Sequence, residues 1–170
     1  MLRLDLARLD RERSVRIEAR IPADDPLWED MEVAPAGPVA VDLRASWTGS
    51  GEVVVRGTLD APLAQECRRC LEPVPGDLSE EVTFVFLPAS EPGMEDDGDT
   101  RLFEPGAAEL DLGQAVREEM ILAIDPYVVC RPECKGLCPR CGANLNEGAC
   151  NCTTDEADPR WEALRALKKE

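Results

Sequence analysis

Eight cysteines fall into four close pairs, and their spacing is the sharpest chemical signal in the chain. Cys67 and Cys70 form a C-x2-C pair, and Cys130 and Cys134 a C-x3-C pair. Cys138 and Cys141 form a second C-x2-C, followed by Gly142, and Cys150 and Cys152 a C-x-C. Zinc takes four soft ligands in a tetrahedron, and a short turn lets both thiolates of one pair reach the same ion. In the Cys138-Pro139-Arg140-Cys141-Gly142 turn, glycine permits a positive φ and frees backbone amides to hydrogen-bond the sulfurs. The spacing therefore points to a four-thiolate site at Cys138, Cys141, Cys150 and Cys152, with Asn144 and Asn146 shaping the loop between. Cys67, Cys70, Cys130 and Cys134 could form a second site that ties two parts of the chain together. An interleaved arrangement, with Cys134 entering the first site, is also open. One or two structural zinc ions are expected. Iron in place of zinc fits the same donors, and an isolated C-x2-C pair could be a redox centre.

Composition narrows these choices. The 170 residues contain no histidine, which removes His-based triads and every imidazole ligand. A closed four-thiolate site has no open position for water, so it argues for structure or binding and against hydrolysis. No paired carboxylates fall in a recognisable motif, and Glu118 and Glu119 read as a solvated helix face. No catalytic residue and no small-molecule substrate are expected. The longest apolar run, Met120 to Ile124, is far below the roughly 18 residues of a membrane helix. Arg3, Asp5, Arg8, Asp10 and Arg11 lead into no apolar stretch, so no secretory signal is read, and the thiols are expected to stay reduced in the cytoplasm.

The net charge of −16 is unevenly placed. Residues 71–129 hold fifteen acidic and two basic side chains, whereas residues 130–152 hold two and three. Such an acidic body repels nucleic-acid backbone at long range and favours a basic protein partner. Arg68, Arg69, Arg131, Lys135 and Arg140 leave room for a secondary RNA contact confined to the cysteine segments.

The surrounding elements read as α+β: an antiparallel β-rich domain with a few short helices, and a small C-terminal cysteine-rich, zinc-ribbon-like module. Leu2, Leu4 and Leu6 alternate with charged residues, as do Val15, Ile17 and Ala19, and both runs predict half-buried strands. Asp24-Asp25-Pro26 predicts a short helix over Leu27 to Met31. Residues 38–60 read as a hairpin turning at Thr48 to Gly51, a further strand approaches Cys67, and Val82, Phe84 and Phe86 mark another strand. Residues 1–88 thus form the β-rich domain. Residues 89–109 read as an acidic mobile loop, and residues 110–129 as a helix and connector. There Asp111 and Gln114 resemble a capping box, Leu112, Val116 and Met120 line one face, and Pro126 ends the helix. Residues 130–157 form the metal module. Residues 158–170 predict a C-terminal helix whose Trp161, Leu164 and Leu167 dock on the body.

At the cysteine segments the chain resembles a known family. Cys67-Arg68-Arg69-Cys70-Leu71-Glu72-Pro73, the helix Glu118 to Ala123, and CKGLCPRCGANLN from Cys134 to Asn146 occur in order. Cys150-Asn151-Cys152 and Asp158-Pro159-Arg160 follow. Together they resemble the bacterial YceD family, the large ribosomal RNA subunit accumulation proteins. The resemblance implies a cytoplasmic, non-enzymatic ribosome-biogenesis factor that supports accumulation or processing of large-subunit ribosomal RNA. Its partner is expected to be a large-subunit precursor or a basic ribosomal protein. The alternative is a thiol-based redox or metal-carrying protein.

Overall fold

The computed structural model describes residues 2–49, 51–89 and 100–152. Its frame is a five-stranded sheet ordered β2-β3-β4-β5-β6, formed by β2 (Ser14–Ile21), β3 (Val39–Trp47), β4 (Val53–Glu66), β5 (Pro73–Pro88) and β6 (Thr100–Phe103). The first four strands pair antiparallel, and β6 runs parallel to β5. A two-stranded ribbon joins β1 (Arg3–Asp5) to β7 (Glu109–Asp111), with Leu4 opposite Leu110. Among the described residues two helices, α1 (Leu6–Glu12) and α2 (Gly113–Ala123), complete the α+β architecture.

Alternation decides which face of the sheet is buried. Val39, Val41, Leu43 and Ala45 of β3 point the same way as Val53, Val55, Leu59, Ala61 and Leu63 of β4. Val82, Phe84 and Phe86 continue that face on β5. Leu6 and Leu9 of α1, Trp28, and Ala115, Val116 and Met120 of α2 close over it as one cluster. Each Val, Leu, Phe or Met side chain among them contributes about 1.5–3 kcal/mol when fully buried, and each Ala less. The opposite face is charged, and Arg16 grips Asp42 there with two hydrogen bonds of 2.9 and 2.7 Å. Gly57 sits where β4 presses on β3: a Cβ there would stand 1.9 Å from the Asp42 carbonyl oxygen.

Several local expectations change. Leu6 opens α1 instead of continuing a strand, because the Asp5 carboxylate accepts from the Arg8 amide at 2.8 Å and caps a helix. The turn after Asp25 is a single 3-10 turn, Pro26–Trp28, with Trp28 buried and its indole N–H donating to the Pro22 carbonyl. Asp111 is the last residue of β7 and accepts from Gly113 N, so no capping box forms and Leu112 at the helix N-cap has no side-chain cap. The expected loop 89–109 contains β6, whose Phe103 packs on Trp47 at 6.4 Å between ring centroids. Arg101 of β6 also pairs with Glu118 of α2 at 2.6 Å, so Glu118 is half-buried and not simply solvated. Residues 91–99 of that loop and the expected helix 158–170 lie outside the described residues. No helix among the described residues is long and apolar enough to cross a membrane.

For the cysteines, the decisive element is the β4–β5 hairpin. Glu66 pairs with Pro73 at its end, leaving residues 67–72 as the tip. That tip is carried to where the chain leaves α2, and Gln65 fixes the approach by donating to the Asp125 carbonyl at 2.8 Å.

Candidate metal centre

The structure gathers the eight cysteines into two tetrads, each with its four sulfurs within 4.8 Å of one another. Cys67, Cys70, Cys130 and Cys134 form the inner tetrad, at the hairpin tip. Cys138, Cys141, Cys150 and Cys152 form the outer one. Cys134 stands with the inner group, so the interleaved arrangement is not the one adopted. All eight are free thiols.

Both C-x2-C pairs lie on the same kind of turn. In the outer tetrad Gly142 N donates to Cys138 O at 2.9 Å, Cys138 N donates to Ala143 O at 2.8 Å, and Gly142 has φ 72°. In the inner tetrad Leu71 N donates to Cys67 O and Cys67 N to Glu72 O, both at 2.8 Å, and Leu71 has φ 61°. Leu71 therefore fills the left-handed position that glycine fills at 142. Sequence reasoning missed this turn because it looked for the glycine. The signal was the shared C-x2-C spacing alone.

The inner tetrad is also a structural joint. Its first two ligands come from the hairpin and its last two from the segment after α2. Arg69 donates to the Cys134 and Pro132 carbonyls at 3.1 and 3.3 Å, and Leu137 N donates to Arg69 O at 2.8 Å. Gly136, at φ 74°, passes so close to this turn that a Cβ would stand 2.8 Å from Arg69 O. Arg68 lies over the Tyr127 ring at 4.3 Å. Of the basic residues considered for RNA contact, Arg68 and Arg69 are thus engaged within the protein.

Two asparagines brace the inner tetrad. Asn146 donates through Nδ2 to Cys134 Sγ at 3.4 Å and accepts from Lys135 N at 2.9 Å. Asn144 Oδ1 in turn accepts from Asn146 N and Nδ2 at 3.0 and 2.8 Å. The loop that Asn144 and Asn146 shape therefore supports the inner sulfurs as well as spanning the outer pairs.

The donor sets suit a soft divalent metal. Cys67 and Cys134 sulfurs are 3.8 Å apart, and those of Cys70 and Cys130 are 3.6 Å apart. A tetrahedron with about 2.3 Å arms has edges of about 3.8 Å, whereas a disulfide needs about 2.05 Å. Thiol acidity is sharply divided within each group. Burial pushes the Cys67 thiol up, but amide hydrogen bonds from Cys130, Arg69 and Cys70 outweigh it and bring it to about 6. Amides of Cys141 and Arg140 bring Cys138 to about 6. Burial, with Cys134 beside it, drives Cys130 to about 12. The hydrogen bond with Cys141, with burial, drives Cys152 to about 12. Four crowded thiolates cannot ionise together without a cation among them. Neither low-pKa thiol sits at a helix N-terminus, the setting of thioredoxin-like redox pairs.

A family model described as Large ribosomal RNA subunit accumulation protein YceD matches residues 55–168, a span that includes both tetrads. The chain belongs to the YceD family. Among its relatives, an uncharacterized protein of Mycobacterium tuberculosis is 32% identical over 167 residues, covering 95% of this chain and 78% of that protein. Two plant YceD relatives are each named Large ribosomal RNA subunit accumulation protein YCED homolog 1, chloroplastic. The one from Arabidopsis thaliana is 35% identical over 68 residues, 40% of this chain and 21% of its own length. The one from Zea mays is 29% identical over 148 residues, 69% of this chain and 50% of its own length. No solved structure matches the chain.

Proposed function

We propose that this YceD protein is a non-enzymatic cytoplasmic factor that supports accumulation of large-subunit ribosomal RNA. In this reading each tetrad holds one structural zinc ion. The observation that carries the proposal is the family match, which spans the β4–β5 hairpin tip, α2 and both cysteine tetrads in one continuous block. Zinc would fix the hairpin tip to the segment after α2 at the inner site and fold the 138–152 loop at the outer one. With four thiolates on each ion, no position is open for substrate or water. The acidic body then presents the working surface. It attracts a basic ribosomal protein or a precursor particle carrying one, and repels naked RNA. Arg131, Lys135 and Arg140 add a local RNA contact after delivery.

The test is depletion of the protein from its native cell, followed by the ratio of large- to small-subunit ribosomal RNA. The ratio should fall and be restored by the wild-type gene. Affinity isolation across a salt series should recover basic ribosomal proteins at low salt and lose them at high salt. An unchanged ratio, or tight salt-steep binding to naked RNA without ribosomal proteins, overturns the proposal.

A further inference from the structure

Four large apolar side chains stand exposed among the described residues: Leu122 at 78%, Tyr127 at 63%, Leu71 at 57% and Ile121 at 48%. They gather in one place. Leu71, Ile121 and Leu122 line a groove of about 660 Å³ between the end of α2, the end of β4 and the inner tetrad turn, and Tyr127 lies between the lining residues Pro126 and Val128. Scattered exposed leucines need no explanation, but three large apolar side chains on one concavity, with a fourth beside it, do. The other charged residues of the groove are Glu32, Glu66 and Arg68, and Arg68 is stacked on Tyr127. The unsatisfied charge of the groove is therefore acidic.

The chain carries its own complement. Residues 160–170 hold four basic and two acidic side chains, and Trp161, Leu164 and Leu167 recur at the spacing of one helix face. We propose that this C-terminal segment docks its Trp161–Leu164–Leu167 face into the groove formed by Leu71, Ile121 and Leu122. Its cations then lie against Glu32 and Glu66. The segment is long enough to reach. Cys152 Sγ lies within 4.8 Å of Cys138 Sγ, Leu137 N bonds to Arg69 O at 2.8 Å, and the neighbouring Arg68 lines the groove. Those short steps are matched by the roughly 20 Å that the six residues from Cys152 to Asp158 can span when extended, before the helix face begins. Docking would lock this segment over the joint between the sheet and the metal module, and any outside partner of the groove would have to displace it.

The experiment uses the full, metal-replete chain. Subtracting the emission of Trp161→Phe isolates Trp161 from the buried Trp28 and the half-buried Trp47. Trp161 should emit at shorter wavelength and be quenched by acrylamide several-fold less than in the denatured chain. Leu122→Glu, at a side chain too exposed to matter for folding, should return it to solvent-like emission with metal content unchanged. In the reciprocal arm, Leu164→Glu with Leu167→Glu should raise hydrogen exchange at the end of α2. A Trp161 already quenched like the denatured chain, or shielding indifferent to Leu122→Glu, overturns the proposal. Shielding that disappears on dilution places the segment on a second copy and overturns it as well.

Discussion

The two tetrads share a donor set but are built in opposite ways. The inner one takes Cys67 and Cys70 from a hairpin tip and Cys130 and Cys134 from beyond α2, 60 or more residues away, and three of its four side chains are buried. The outer one is local, with all four ligands between 138 and 152 and only Cys138 buried. Motif strength favoured the outer tetrad in the sequence, while burial and connectivity favour the inner one. A metal bound across a long loop constrains the relative placement of two units. A metal bound within a short loop folds only that loop.

The largest expected effect tests this division directly. Wild-type protein is expected to hold two zinc ions, and Cys141→Ser one. Cys141→Ser should unfold the outer loop while hydrogen exchange in β2 to β5 stays slow. Cys67→Ser should instead free the whole 130–152 segment from the hairpin and speed exchange at Gln65 and along the end of β4. Its cost should be several kcal/mol, a fraction of the about 10–16 kcal/mol apparent for structural zinc. If both variants lose one zinc and protect the same residues, the inner site is not a joint.

A smaller effect separates contact from backbone strain. Gly136 and Gly142 have nearly the same positive φ, 74° and 72°, but only at 136 would a Cβ meet the Arg69 carbonyl, and nothing lies within 4 Å at 142. Gly142→Ala should therefore cost about 1–2 kcal/mol, the left-handed penalty alone. Gly136→Ala adds a backbone clash at the inner joint and should cost roughly twice as much. Chemical denaturation of the metal-loaded protein reads both. Equal costs would mean that the close approach at 136 relaxes freely.

Acid should act through the same thiols. In the metal-free protein, Cys67 and Cys138 near 6 are ionised at pH 7.5, while Cys130 and Cys152 near 12 are protonated. Cys70 and Cys150 are likewise raised above the ordinary 9.0, so loading both sites at pH 7.5 should release at least four protons, detectable in weak buffer, and affinity should rise with pH. Below pH 6 Cys67 and Cys138 must also give up protons, so affinity should fall more steeply there. The lowered thiols stabilise the metal-free fold above their ordinary value of 9.0, and that contribution fades as pH falls toward 6. Loading without proton release would mean that the metal does not meet the protonated thiols.

What was legible in the sequence was local. Cysteine pairs, the alternation of Val39 to Leu43 and Val53 to Leu59, and the apolar stripe of α2 each depend on neighbours within a few residues. The partnership of Cys67 and Cys70 with Cys130 and Cys134 is only one of the arrangements that the spacing allows, because it is set by the 14- and 16-residue strands that carry the hairpin tip to the end of α2. β6 was hidden by its acidic surroundings and by a parallel pairing with β5 that no local pattern announces. α1 was hidden by period-two leucines, although Asp5 was already a good cap and Leu6 and Leu9 already shared a helix face.

The smallest expected effect concerns the residue that makes the two turns alike. Leu71 holds φ 61° with the same hydrogen bonds that Gly142 makes at 72°. A non-glycine residue in this region costs roughly 1–2 kcal/mol, and glycine recovers it only after offsetting the greater freedom it gives the unfolded chain, about 0.4–1 kcal/mol. Leu71→Gly should therefore leave zinc retention at the inner tetrad unchanged or raise it by up to about fifteenfold in a chelator competition. The side chain is 57% exposed, so no buried contact of the tetrad is lost with it. The two turns are equivalent in kind if Leu71→Gly makes the inner one hold metal more tightly while Gly142→Ala makes the outer one hold it less tightly. If Leu71→Gly loses the inner metal, the leucine itself, and not the turn it occupies, is organising the sulfurs.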